Sequence, residues 1–275
     1  MPLSQKNLQS HLARLQSATR PPIPHRILSS SQIKARWDQL TTLPKKTRRT
    51  LFRGLWFRVD FSKIDFAAKT REHFVRRRSD LAWAREQLKA YMQSNILVPS
   101  SPTASALHHP WFVVRRKGKR RLVVDFDKLN NAVIESPTVS YEDLRTVPDL
   151  TAGRRWLLSI DFTSAFHHIS LAPSLRPLCS IRVDGQSYHF SVMTFGLSMS
   201  PKVWCAALGA AVNHLRLNLG IAISYYMDDL LIAAETAARA RSLALFLVRF
   251  FQSLGLDINF DKSQLTPMRR LRHLG

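Results

Sequence analysis

Residues 221–234 read Ile221-Ala222-Ile223-Ser224-Tyr225-Tyr226-Met227-Asp228-Asp229-Leu230-Leu231-Ile232-Ala233-Ala234, two apolar runs split by a pair of carboxylates. Short apolar runs rich in β-branched and aromatic residues form strands, so the segment predicts strands over 221–226 and 230–234, joined through Met227-Asp228-Asp229. A second strand-like run, Trp156-Leu157-Leu158-Ser159-Ile160-Asp161-Phe162, also carries a carboxylate at its end. Nothing adjacent in sequence neutralises either position. A carboxylate embedded in apolar strand is costly unless it is paired or bound to a cation. If 156–162 lies beside the 221–234 hairpin, Asp161 and Asp228 converge, and oxygen ligands with no His or Cys beside them suit Mg2+. Two such ions about 3.5 to 4 Å apart clamp the attacking and leaving oxygens of an in-line phosphoryl transfer, which points to nucleotidyl or phosphodiester chemistry. Taken singly, each site is also compatible with an ordinary turn or strand end, where Asp is common.

Working outward, Ser79 or Asp80 can cap a helix to about Asn95, with Leu81, Ala84, Leu88, Tyr91 and Met92 at helical spacing. Pro99, Pro102 and Pro110 mark a loop, and 111–115 with 121–126 read as a hairpin whose tip, 116–120, is strongly basic. Thr163 to His168 suits a helical turn leaving the Asp161 strand. Cys179–Val183 and Gln186–Met193 form a hairpin around Asp184-Gly185, a pair that favours a tight primed turn. Ser200-Pro201 offers an N-cap and first-turn proline for a helix to about Asn218. A helix over 235–254 is closed by Gly255, and 256–260 is expected as a strand. Helices interspersed with antiparallel hairpins make an α+β layout.

Lys and Arg number 41 against 19 Asp and Glu, a net charge of +22, while hydrophobic residues make up 45%. That composition excludes a wholly disordered basic protein and implies a folded body facing a polyanion, nucleic acid being the most economical partner. The longest apolar stretches, such as 242–251 with Arg249 inside it, fall short of the ~20 residues a membrane helix needs. The N-terminus has no apolar core preceding a cleavage site, and Cys179 and Cys205 are too few for a disulfide framework or zinc finger. The expectation is an intracellular protein with no membrane partner. Residues 1–78 carry 18 Lys and Arg, with prolines at 21, 22 and 24, and read as a basic, partly disordered N-terminal extension. The runs Lys45-Lys46-Thr47-Arg48-Arg49 and Arg76-Arg77-Arg78 suit phosphate contact or nuclear import, and equally a solvated surface. Leu55-Trp56-Phe57, Phe61 and Phe66 are expected to pack the extension onto the main domain.

Tyr226-Met227-Asp228-Asp229 resembles the catalytic YxDD motif of reverse transcriptases, and Ser159-Ile160-Asp161-Phe162 through Ile169 resembles their first catalytic-aspartate motif. Others follow in the family's order. Arg121-Leu122-Val123-Val124-Asp125-Phe126 with Leu129-Asn130 is similar to the fingers segment, and Phe195-Gly196-Leu197-Ser198 with Ser200-Pro201 to the motif lying against template and incoming nucleotide. Gly255-Leu256 to Lys262-Ser263 looks like the palm motif containing a lysine, and His273-Leu274-Gly275 like the start of the primer grip. The Phe-Gly-Leu motif is gypsy-like and shared by elements carrying a tyrosine recombinase, whereas Ser164 and the Met of YMDD are similar to hepadnaviral polymerases.

The resemblance implies a right-hand polymerase whose fingers and palm occupy 79–275, with an antiparallel palm sheet packed on helices. It implies RNA-directed DNA polymerisation from dNTPs on an RNA or DNA template–primer, using two Mg2+ ions or Mn2+ in their place. Asp161, Asp228 and Asp229 would hold the metals, with the carbonyl of Phe162 as a further ligand. Arg121, and Arg115 or Arg116 at the hairpin tip, would meet the triphosphate, guanidinium being suited to bidentate phosphate contact. Phe166 matches the steric gate that rejects a ribose 2′-hydroxyl, Phe195 and Gly196 line the nucleotide side, and Lys262 matches the lysine proposed to protonate pyrophosphate. Asp127 stands where the family commonly has Arg. The sequence stops at Gly275, on the motif that begins the primer grip, so the expectation is a unit with its thumb absent and its C-terminus incomplete. Loss of primer contacts would remove much of the rate, because phosphoryl transfer depends on positioning. Two competing readings are a non-catalytic nucleic-acid-binding remnant of a retroelement and a two-metal nuclease.

Overall fold

In a computed structural model of the protein, the residues described are 5–18, 36–40, 43–68, 70–101, 107–116, 118–139, 141–142 and 144–274. The elements run α1 (Gln5–Ala18), α2 (Lys45–Arg53), α3 (Arg78–Gln93), β1 (Leu97–Pro99), β2 (His108–His109), β3 (Trp111–Arg116), β4 (Lys119–Val124), α4 (Asp127–Asn130) and α5 (Val147–Thr151). They continue through β5 (Trp156–Asp161), β6 (Ser180–Val183), β7 (Gln186–Phe190), α6 (Met199–Leu219), β8 (Ile223–Tyr226), β9 (Asp229–Ala234), α7 (Ala237–Ser253) and β10 (Gln264–Met268). The α+β expectation holds. One sheet has the order β10-β5-β9-β8, a second β1-β7-β6-β2, and β3 and β4 pair with each other.

The first sheet positions the carboxylates, and its helices explain why it stays in place. On α7, Ala240, Leu243, Ala244, Leu247, Val248 and Phe251 are buried at helical spacing, an apolar stripe laid against β5, β9 and β10. Helix α6 lies against β8, and Gly209 lets the two approach: a Cβ there would stand 2.5 Å from the Tyr225 hydroxyl oxygen. The α6 start differs from expectation. Ser198 occupies the N-cap and Pro201 falls inside the first turn, because the Ser198 N–H is held by Asn130 Oδ1 at 2.9 Å while the Ser200 hydroxyl donates to the Thr194 carbonyl.

Residues 256–260 do not form the expected strand. Their apolar alternation is satisfied by burying Leu256 and Ile258, but pairing stops at one antiparallel bridge, Phe162 to Ile258. The chain then turns at Asn259, whose carbonyl accepts from Ser263, and the strand comes afterwards as β10. Pro267 obscures that strand in the sequence. It is tolerated because β10 is the sheet edge, where a missing N–H costs no ladder bond on the solvent side.

Described residues of the 1–78 extension join the main domain. Leu8, Trp37, Leu40, Leu51, Leu55 and Phe57 are buried in the common core, and Trp37 Nε1 donates to the Leu254 carbonyl at 3.0 Å. The Pro21, Pro22 and Pro24 stretch lies outside the described residues. Leu55 pairs with Leu171, a contact that requires Gly54: at φ 84, a Cβ would sit 2.5 Å from the Ala172 nitrogen. Of the residues expected to pack there, Leu55 and Phe57 turn inward and Trp56 between them outward, as alternation along an extended segment dictates, while Phe61 and Phe66 are also exposed. Among the described residues no helix is long and apolar enough to cross a membrane.

Candidate active site

Asp161 ends β5 and stands opposite Asp229, the first residue of β9. Asp229 in turn pairs with Tyr226, so the β8–β9 connection is shorter than expected, with only Met227 and Asp228 in the turn. Met227 adopts φ 56, a left-handed conformation that costs a side-chain-bearing residue about 1–2 kcal/mol. Its surroundings fix it there: Trp204 Nε1 donates to the Met227 carbonyl at 3.1 Å, and Cys205 Sγ lies 3.8 Å from Met227 Sδ. Strain held in place by packing at a turn that aims a carboxylate is a recurrent feature of functional sites.

Asp161 is 9% exposed, and burial raises its pKa above the ordinary carboxylate range, Lys262 opposing the rise while Asp228 and Asp229 add to it. Asp229 is shifted the same way, by burial and then by Asp228. Lys262 Nζ lies 3.2 Å from Asp161 Oδ1 and 3.5 Å from Oδ2. The lysine arrives there because the segment before β10 is laced to β5: the Asn259 N–H donates to the Asp161 carbonyl, and the Asp161 N–H to Ser263 Oγ at 3.0 Å. Ser263 was not foreseen as a site residue. Phe162 bridges Ile258 through bonds made by its neighbours, Thr163 N–H to Asp257 carbonyl and Asn259 N–H to Asp161 carbonyl. In such a non-hydrogen-bonded pair the N–H and C=O of Phe162 itself point the other way, toward the side occupied by β9. Its ring is buried, edge-on to Trp204 and Phe251. Among the described residues no three His, Cys, Asp or Glu side chains already stand close enough to ligate one ion.

Next to this centre lies the 195–198 loop. Gly196 has φ 94, and a Cβ on it would come within 2.3 Å of the Val124 carbonyl oxygen at the end of β4. Asn130 clamps the same loop, donating from Nδ2 to the Gly196 carbonyl at 2.8 Å while its Oδ1 accepts from Ser198. Two motifs separated by 66 residues are thereby one structural unit. Both motifs were visible in the sequence, but the pairing between them was not. Phe166 is 6% exposed and its ring packs 4.8 Å from that of the exposed Phe195.

The β3–β4 hairpin divides its cations between two faces. Directly opposed residues share a face, so Arg115 and Arg120 lie on one side and Arg116, Lys119 and Arg121 on the other. On the first, Asp80 of α3 accepts from Arg115 Nε at 3.0 Å to each oxygen and meets Arg120 Nε at 2.9 Å. The Arg115 guanidinium thereby braces the hairpin against α3. Hydrogen bonding from Arg115, then the charge of Arg115 and Arg120, holds the Asp80 carboxyl below its ordinary pKa. Such a group stabilises the fold above the ordinary carboxylate pKa and loses that contribution as pH falls through the lowered value. Asp80→Asn is therefore expected to lower the melting temperature at pH 7 and to match the parent in strong acid. Parallel melting curves with pH-independent separation would contradict this.

The family comparison decides what this arrangement is. The reverse transcriptase (RNA-dependent DNA polymerase) family matches residues 113–275, which include Asp161, Gly196, Asp228 and Lys262. The chain belongs to the reverse transcriptase family. Relatives include Protein P of Heron hepatitis B virus, 28% identical over 207 residues that cover 70% of this chain and 25% of the relative. Protein P of Duck hepatitis B virus (strain Germany/DHBV-3) is 30% identical over 58% of this chain and 21% of its own length. The retrovirus-related Pol polyprotein from transposon opus of Drosophila melanogaster is 27% identical over 64% of this chain and 18% of the relative. The chain thus spans a quarter or less of the length of these proteins. A foamy viral protease-reverse transcriptase, solved in complex with double-stranded DNA, superposes with a TM-score of 0.67 at 15% identity, covering 96% of this chain and 48% of that one. That likeness shows the fingers and palm fold.

In this chain, the fold brings Asp161, Phe162, Asp228, Asp229 and Lys262 to one end of the first sheet. Phe166, Phe195 and Gly196 form a second group. Arg116 and Arg121 stand on the free face of the hairpin with Lys119, which was not singled out from sequence.

Proposed function

We propose that the chain carries the polymerase centre of RNA-directed DNA synthesis, extending a primer 3′-hydroxyl with deoxynucleotides from dNTPs on an RNA or DNA template. The observation that carries this reading is Asp161 facing Asp229 across β5 and β9, with Asp228 beside them in a strained turn. The donor set fits Mg2+, or Mn2+ in its place, because it offers hard carboxylate oxygens, and Mg2+ takes one or two carboxylates together with water and substrate phosphates. Asp161, Asp228 and the Phe162 carbonyl would hold the metal, with Asp229 adjoining. When bound, the metal supplies charge stabilisation for the ionised primer hydroxyl and the reacting α-phosphate.

The primer oxygen forms the new bond to the α-phosphorus as the bond to the bridging oxygen of pyrophosphate breaks. Lys262, whose Nζ lies beside Asp161, would protonate the departing pyrophosphate. Arg121, Arg116 and Lys119 offer one cationic face to the triphosphate. Phe166, fixed by Phe195, limits room for a ribose 2′-hydroxyl.

The test is primer extension on poly(rA)/oligo(dT) with dTTP and Mg2+, beside Asp228→Ala. Extension by the parent and none by the variant supports the reading. Duplex binding without extension by the parent would instead favour a binding fragment, and primer shortening a nuclease. Binding itself is expected to run through phosphates: contact with about four of them would weaken affinity roughly a hundredfold between 50 and 200 mM salt. Affinity flat across that range, measured by fluorescence anisotropy, would argue against a phosphate-led contact.

A further inference from the structure

Helix α2 and helix α6 enclose a groove of about 740 Å3, within the ~300–1,000 Å3 range of ligand sites. Its floor is apolar, formed by Leu51, Leu55, Met199, Val203 and Ala206, while its rim carries Lys45, Lys46, Arg49, Arg53 and Lys202. The four α2 cations recur at i, i+1, i+4 and i+8 and so lie along one side of the helix. Lys45 and Lys46 sit in its first turn, where the helix dipole disfavours positive charge. None of the four has a carboxylate partner among the described residues. Glu135, the acid in the lining, is already engaged, accepting from the Arg58 N–H at 2.9 Å and from Arg58 Nε at 3.1 Å. Trp56, also in the lining, is 57% exposed because its neighbours Leu55 and Phe57 take the inward positions.

We infer that this groove is a second nucleic-acid site, which takes single-stranded template outside the duplex, with its phosphates on the α2 cations and a base against Trp56. The inference rests on the nucleic-acid reading above and deepens it. Cations beside an exposed aromatic ring form the usual platform for unpaired strands, since every base has a face to stack. A duplex keeps its bases stacked and cannot use an apolar floor. The position is also continuous with the polymerase centre: Met199 of the floor directly follows the Phe195–Ser198 loop, and on the same helix Trp204 holds the Met227 turn. An acidic peptide would match the charge but would have no such continuity.

The experiment compares fluorescence anisotropy of two labelled DNAs with the full chain, a blunt duplex and the same duplex with a 5′ template overhang. Parent, Trp56→Ala, Trp56→Phe and the triple variant Lys46→Glu, Arg49→Glu, Arg53→Glu are tested, each checked for an unchanged melting curve. The parent should prefer the overhang. Trp56→Ala should lose about tenfold of that affinity and Trp56→Phe recover most of it, with blunt-duplex affinity within twofold throughout. The triple variant should lose the preference and lower the salt slope for the overhang alone. Equal binding of both DNAs by the parent, or an overhang preference intact in Trp56→Ala and the triple variant, overturns the inference while leaving the polymerase reading standing. Failure of the parent to bind either DNA overturns both.

Discussion

Asp161→Asn and Asp228→Asn are each expected to reduce dNTP incorporation by at least about 10^3-fold while binding template–primer within about twofold of the parent. The two substitutions preserve shape and remove only charge. The geometry of β5 survives the first, because the Asp161 backbone, through its N–H to Ser263 and its carbonyl to Asn259, holds the register. The turn survives the second, because Met227 is fixed by Trp204 and Cys205. A fall in rate with folding and duplex affinity intact would therefore report the loss of charge at the reacting phosphate. The two variants differ in one informative respect: Asp161 also contacts Lys262, whose side chain is 59% exposed and is released when Asp161 is neutralised. If Lys262 delivers the leaving-group proton, its release should make Asp161→Asn lose more rate than Asp228→Asn. Incorporation at parental rates by either variant would remove the basis for placing the chemistry at this sheet end.

The centre was legible because its signals are local. An apolar β-rich run ending in Asp161 and a two-strand pattern around Asp228 each fit in a short window, and the order of motifs made the family readable. What supports those residues was not, since it is built from distant pairings. Ser263 reaches Asp161 across 102 positions, and Asn130 reaches Gly196 across 66. The cations of the β3–β4 hairpin show the limit well. Alternation alone separates Arg115 from Arg116 and Arg121, yet which face is spent on structure depended on Asp80, a residue in another element. What anchors the N-terminal region was hard to read for a different reason. Its averaged composition is basic and proline-punctuated, while the few residues that anchor it, Leu8, Trp37 and Leu51, are single apolar side chains scattered among charges.

Gly196→Ala should be among the most damaging single-methyl changes in the chain, at about 3 kcal/mol or more, or roughly 6–12 °C in melting temperature. Two costs combine. At φ 94 any Cβ is strained, by about 1–2 kcal/mol. The same Cβ would stand 2.3 Å from the Val124 carbonyl oxygen and 3.3 Å from Phe126 Cδ2. That oxygen cannot withdraw freely: β4 ends there, and the next residue, Asp125, donates its N–H to the Pro110 carbonyl at 2.9 Å. Relief must come from the 195–198 loop, which would pull the Gly196 carbonyl off Asn130 and shift Phe195 from Phe166. The functional consequence should follow the structural one, with a raised KM for dNTP and weakened discrimination against rNTPs. Gly118→Ala provides the comparison, since Gly118 has φ 75 but nothing within 4 Å of its absent Cβ. It bears the backbone strain alone and should cost about 1 kcal/mol. Equal losses in the two variants would mean that the contact with Val124 contributes nothing.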